Sequence, residues 1–244
     1  MRLIAGNSNS TCALPVKNNE PFILLMVGLT LLGISGIHPH DYFTWLLEVA
    51  PVLLGVPVLV ATFSRFRFTP LAYRLMFLHA VILMVGGHYT YAEVPLGYWL
   101  KDTFGFARNH YDRLGHLAQG FIPAILTREI LLRRSPLQRG KWLFFLVCCV
   151  CVTISVAYEF IEWWTALATG EAASAFLGTQ GDPWDTQWDM FLALIGALIA
   201  QLTLARSHDR QLAYLRASTH ESATHGASVE LKSRKSDTVN STVR

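Results

Sequence analysis

Apolar residues in this chain gather in long unbroken runs rather than in the alternating pattern of strands or the one-sided pattern of soluble helices. A hydrocarbon core about 30 Å thick is crossed by about 20 such residues in a helix. Six runs reach or approach that length: Pro21–Ile37, Phe43–Phe63, Pro70–Gly87, Tyr111–Leu132, Trp142–Ala168 and Trp188–Ala205. They predict an all-α fold, a polytopic membrane bundle of six transmembrane helices. Pro51 and Pro57 inside the second run predict a bent helix, which neighbouring helices can accommodate in a membrane. The fourth run is the most polar. It counts as a span because the charge pattern of the connections requires one there.

Lysine and arginine mark alternate connections. Arg2 and Lys17 precede the first run, and none lies between it and the second. Arg65, Arg67 and Arg74 follow the second run; the long third connection balances Lys101 and Arg108 with Glu93 and Asp102. Arg133, Arg134, Arg139 and Lys141 fill the fourth, none lies in the fifth, and Arg206, Arg210 and Arg216 open the C-terminal segment. Basic loops stay in the cytoplasm, so both termini are expected there. The expected organisation is a polar tail over 1–20, a transmembrane domain over 21–206, and a polar cytoplasmic tail over 207–244. That last segment is rich in Ser, Thr, His and charge and is expected to be disordered beyond a short helical stub. The first run reads as an uncleaved span, being set back from the start behind a weakly basic segment.

Composition agrees. Hydrophobic residues make up 52% of the chain and charged residues 15%, against about 25% charged in a soluble domain. A net charge of +3, dispersed over loops and tail, gives no basic stripe for nucleic acid. Cys148, Cys149 and Cys151 lie in an apolar run with no His or second Cys pair at ligand spacing and read as packing residues; Cys12 stands alone.

Against this background the ionisable residues inside the runs stand out, because charge in a bilayer is costly and functional by default. With the spans alternating in direction, Glu48, Asp112, His116, Glu159, Glu162, Asp185 and Asp189 all arrive near one end of the bundle, on the outer side. Asp112 and His116 are four apart on one helix face, as are Asp185 and Asp189, and Glu159 and Glu162 are three apart. Carboxylates with an imidazole suit a hard or borderline divalent cation. Asp112, His116, Glu159 and Asp189 are therefore candidate metal ligands, with Glu162 and Asp185 as candidate acid–base groups. Several of these have plainer uses. Asp182 before Pro183 fits a helix N-cap, with Asp185 completing it. Asp112 can pair with Arg108 or Arg113. Glu162, beside Trp163 and Trp164, can sit at headgroup level. Arg128 and Glu129 read as snorkelling or ion-paired. His38, His40, Asp102 and His110 read as solvated. The glycines around Gly178 and Gly181 match no nucleotide motif, and nucleophile-elbow and HExxH motifs are absent.

Several segments carry a resemblance: Gly86–Gly97, Arg108–His116, Gln119–Ala124 with Arg128 and Glu129, Tyr158–Trp164, and above all Gly178–Met190. Together they resemble the YjdF family of bacterial inner-membrane proteins over roughly residues 20–210. The resemblance implies an inner-membrane location and assigns no activity. A fainter similarity is to VanZ-like membrane proteins, through Asp112, His116, Glu159, Asp185, Asp189 and Gly196; this implies an envelope or lipid-related role. The VanZ-like pattern usually has Asn where this chain has Asp189.

Three functions are compatible with the sequence. The first is a metal-dependent site acting on a lipid or envelope precursor. The second is a proton- or ion-coupled small transporter, which would want polar residues through the whole bilayer; the inner halves of the second, fifth and sixth runs show few. The third is a non-enzymatic membrane factor in which the charges brace helices. The topology has its own test. A periplasm-dependent phosphatase, which needs disulfides to fold, should be active when fused after Gln187 and inactive when fused after Leu137 or Ala217.

Overall fold

The computed structural model describes residues 19–170, 174–177 and 179–242, with side chains given for these except at 174–175 and 218–242. Residues 1–18 of the N-terminal tail expected over 1–20, Cys12 among them, lie outside the described residues, as do most side chains of the expected C-terminal tail. The described chain is helical, without a strand. The helices are α1 (Glu20–Ser35), α2 (Tyr42–Thr62), α3 (Pro70–Tyr89), α4 (Pro95–Phe104), α5 (Tyr111–Arg134), α6 (Lys141–Thr169), the single turn α7 (Ser174–Leu177) and α8 (Asp185–Thr242).

Among the described residues, four helices are long and apolar enough to cross a membrane: α2, α3, α6 and the Asp185–Ala217 part of α8. α1 is apolar but has only 16 residues. α5 has 24 residues, long enough at 1.5 Å per residue, but carries charge toward both ends. Its position explains this. α5 is the central helix, packed against α3, α6 and α8, and Asp112, His116, Arg128 and Glu129 are on its buried face. A polar face turned inward meets protein partners rather than lipid. The apolar residues that remain exposed, such as Leu54, Leu167 and Leu202, lie on the surrounding helices, as expected of surfaces that meet acyl chains.

The closest crossing joins α5 to α8. A Cβ on Gly120 would collide with the Ala193 carbonyl, and one on Gly196 would collide with the backbone of Leu117 and Phe121. Ala193, Ala197 and Ala200 are completely buried beside them. Small residues on both helices thus bring the two backbones together, which is how helices associate where lipid removes the hydrophobic driving force. α6 closes one side of this pair through Leu143, Val147 and Cys151. The buried Cys148 Sγ there accepts from Gln201 Nε2 at 3.3 Å, in keeping with a packing role. α3 closes the other side, and α1 and α2 pack on α3.

The third connection is more ordered than a plain loop. It contains a 3-10 turn (Tyr91–Glu93) and α4. The Tyr91 ring lies between Gly86 and Gly115, where a Cβ on either glycine would overlap it. Asn109 Nδ2 donates to the Val94 carbonyl at 3.0 Å, and Asn109 Oδ1 accepts from Tyr111 N at 3.0 Å. These contacts fix the start of α5 against the end of α3. Alanine at Gly120 or Gly196 is expected to destabilise by more than the about 1–3 kcal/mol of ordinary overpacking, because backbone must move. Gly55→Ala, where nothing lies within 4 Å, should instead stabilise by about 0.5–1 kcal/mol. Melting temperatures in detergent read both.

Candidate functional site

α2 begins, α3 ends, α5 begins, α6 ends and α8 begins at one end of the bundle, and the acidic residues of four of these helices meet there. His116 is at the centre. Its Nε2 is 3.5 Å from Asp112 Oδ1 and 3.9 Å from Asp189 Oδ2, and its Nδ1 is 3.9 Å from Glu159 Oε1. One ligand atom each from Asp112, His116 and Asp189 can be chosen so that all lie within 4.8 Å of one another. Ligands about 2.1 Å from a tetrahedral ion are roughly 3.4 Å apart, so a small contraction would bring these three onto one ion. All three residues are buried, at 8%, 6% and 2% exposure.

The hydrogen bonds set the histidine's chemistry. Nδ1 lies 3.0 Å from Gln119 Oε1, an acceptor, so Nδ1 carries the proton. Nε2 then faces two carboxylates, which it can meet as an N–H donor or, without its proton, as a lone pair toward a cation. Two opposing oxygens are left over: Glu159 Oε1 and Asp189 Oδ1 are buried with no hydrogen-bond partner. Buried polar atoms are nearly always paired. Carboxylates gathered this closely around one imidazole, two of their oxygens orphaned, repel one another unless a cation or protons lie between them.

The remaining candidates are distributed around this centre. Asp185 is held by Arg108, NH1 to Oδ1 at 2.6 Å. The same guanidinium reaches the Thr179 carbonyl at 3.0 Å, Asp182 at 3.5 Å and Asp112 at 3.8 Å. Asp112 therefore pairs with Arg108 and not with Arg113, which binds Asp182 at 2.6 Å. Asp182 does cap backbone, accepting from Trp184 N at 2.9 Å, but α8 starts only at Asp185. Glu48 is buried and accepts from the Tyr158 hydroxyl at 3.2 Å. Glu162 lines a cavity of about 420 Å³ together with Glu48, Asp112, His116 and Gln119. Among the loop histidines, His40 is half exposed and contacts Glu93 at 3.3 Å. His110, outside the spans, is pushed below its ordinary pKa by partial burial and then by Arg113 and Arg108.

A second buried network occupies the opposite end, and the sequence alone did not reveal it. Glu129, fully buried, accepts from Thr69 N (3.0 Å), Thr69 Oγ1 (2.8 Å), Arg133 (2.6 Å) and His208 Nε2 (3.0 Å). His208 Nδ1 lies 2.9 Å from an Arg128 nitrogen, which can only donate, so His208 is neutral with its proton on Nε2. Arg128 also binds Asp209 at 2.8 Å. Arg128 and Glu129 are ion-paired in the interior rather than snorkelling. His208 was hidden because it lies beyond the last apolar run, and its partners are some 80 residues away (|i−j| = 79 and 80).

Breaking a buried pair leaves an uncompensated charge, at a cost of about 3–5 kcal/mol. Arg108→Ala is expected to lower the melting temperature strongly, and Arg108→Ala combined with Asp185→Ala to lower it less. Thermal melts of the two proteins side by side decide this.

Residues 21–210 match the model of a family described as "Predicted membrane protein (DUF2238)". The inner membrane protein YjdF of Escherichia coli K12 is 55% identical over 196 residues, covering 79% of this chain and 94% of that protein. No solved structure matches the chain. With a family model spanning most of its length and a relative so close, the chain belongs to the DUF2238 family of membrane proteins.

Proposed function

We propose that this protein crosses the bacterial inner membrane six times with both termini in the cytoplasm. At its outer end it holds one divalent metal ion that acts on a lipid or envelope precursor. The basic residues at alternate connections support the topology. So does α6, whose exposed tryptophans Trp142 and Trp163 are separated by roughly 32 Å at 1.5 Å per residue, the thickness of a hydrocarbon core. α1 and α5 complete the six, α5 through its buried polar face. Glu159, one turn before Trp163, is then just inside the hydrocarbon boundary.

Asp112, His116 and Asp189 would bind the ion, with Glu159 as the fourth ligand. The observation that carries this reading is the close grouping of ligand atoms from Asp112, His116 and Asp189 in the interior, with a buried, partnerless oxygen on Asp189 and another on Glu159 beside them. Gln119 on Nδ1 supplies the outer hydrogen bond that metal-bound histidines use to fix their tautomer. An ion in this place supplies Lewis acidity toward a bound oxygen. Glu162, which lines the cavity, is the group that would move a proton. Asp185, already paired with Arg108, is better read as a fixed charge that anchors the connection between α7 and α8. The lower part of the cavity is walled mainly by apolar side chains such as Leu83, Leu126 and Ile154, which favours a lipid-like ligand over an ion-coupled carrier.

Metal content of the detergent-purified protein tests the proposal. Near-stoichiometric zinc, or saturable stabilisation by added zinc, manganese or magnesium, is expected. Asp112→Asn, His116→Ala and Asp189→Asn should each lose it while the protein stays folded. Folded wild-type protein that neither contains nor responds to any of these ions would rule the metal site out.

A further inference from the structure

The cavity that begins at the acidic cluster does not end there. It continues along α5 past Pro123 to Leu126 and Ile130, about 18 residues or roughly 27 Å beyond Asp112 at 1.5 Å per residue. Met76 and Leu83 of α3 form one wall and Ile154 of α6 the other. Ile130 and Ile154 are 43% and 39% exposed, so the groove is open on a side that lies within membrane-spanning helices. A groove of this kind, acidic at one end and mainly apolar along the rest, with His79 and Thr127 as polar exceptions, has the polarity of one lipid molecule entering sideways.

The charges select the head. If the ion takes Asp112, His116, Asp189 and Glu159, the carboxylates of Glu48 and Glu162 remain on the cavity wall beside it. Tyr158, which donates to Glu48 at 3.2 Å, lies with its ring centroid 6.3 Å from that of His116. An ion next to two carboxylates is a cationic point flanked by anionic ones. An anionic head would be drawn to the ion and repelled by Glu48 and Glu162, whereas a head with both an anionic oxygen and an amine can satisfy both.

Building on the proposed metal site, we infer that the groove along α5 binds the chain of a zwitterionic aminophospholipid, with its phosphate oxygen toward the ion and its ammonium toward Glu48 and Glu162. The lipid lies with one acyl chain between Leu83, Leu126 and Ile154, and the bilayer supplies it through the open side of the groove. Recognition thus comes from two regions: the carboxylates read the head, and the length of the groove reads the chain.

The test uses full-length protein in detergent, with and without zinc, and three probes. They are dioleoylphosphatidylethanolamine, its chain-free head glycerophosphoethanolamine, and dioleoylphosphatidylglycerol, which lacks the amine. The expected result is a rise in melting temperature with the first that clearly exceeds the rise with either of the others. Leu126→Trp and Ile154→Trp should fill the groove and abolish that rise, yet keep the shift caused by zinc, which shows that they fold. Leu202→Trp, on the exposed face of α8, should behave as wild type. Equal shifts with all three probes, or a lipid shift that survives both groove substitutions, would overturn the inference. The two readings fail separately. Zinc binding without any lipid preference removes the lipid and leaves the metal site. A lipid shift that needs the open groove but no metal keeps the lipid and removes the metal.

Discussion

The close approach of α5 and α8 is the constraint on which the rest depends. Gly120 and Gly196 let each backbone rest against the other, and the buried alanines of α8 continue the seam. Because helices are rigid rods, fixing the seam at its middle fixes both of its ends. At one end it brings Asp189 beside His116 and Asp112, and at the other it brings His208 and Asp209 beside Arg128 and Glu129. Neither charged network could form if side chains held these helices a few ångströms further apart.

The two ends differ in how their charges are satisfied. At the basic-loop end, Glu129 has four donors and His208 uses both nitrogens. Glu129 and His208 are thus fully partnered, while Asp209, whose Oδ1 makes no hydrogen bond, is held by ion pairs to Arg128 and Arg139, and the network acts as a brace. At the acidic end, Arg108 neutralises Asp185 and reaches Asp112, but Glu159 and Asp189 keep oxygens without partners. In a low-dielectric interior an incomplete network is unfavourable unless something fills it. This asymmetry separates structure from function more clearly than the residue types do, since both ends are built from acids, a histidine and an arginine.

Much of this was legible in the sequence, for a physical reason. A lipid-facing helix must be apolar, so α2, α3, α6 and the apolar part of α8 stand within a few residues of the runs that foretold them. An ionisable residue inside such a run is conspicuous, and the alternation of directions places it at one end or the other. That was enough to gather Asp112, His116, Glu159 and Asp189. The rest needed contacts between distant segments. Arg108, in a connection, gave no sign that its partner was Asp185 rather than Asp112 alone. Thr69 carried no signal in the sequence, although its N–H and hydroxyl both serve Glu129. The apolar period of α8 fades before His208, yet the helix stays packed as far as Leu212. α4 is only 10 residues long, so it read as part of a connection.

The central claim is that the incomplete network is completed by a metal ion held through His116. X-ray absorption at the zinc edge, on zinc-loaded protein in detergent, examines that bond directly. The account predicts a first shell of oxygen and nitrogen donors near 2.0–2.1 Å, with the outer-shell scattering of one imidazole that vanishes in His116→Ala. A shell of oxygens alone with no imidazole signature, or a spectrum that His116→Ala leaves unchanged, would contradict it.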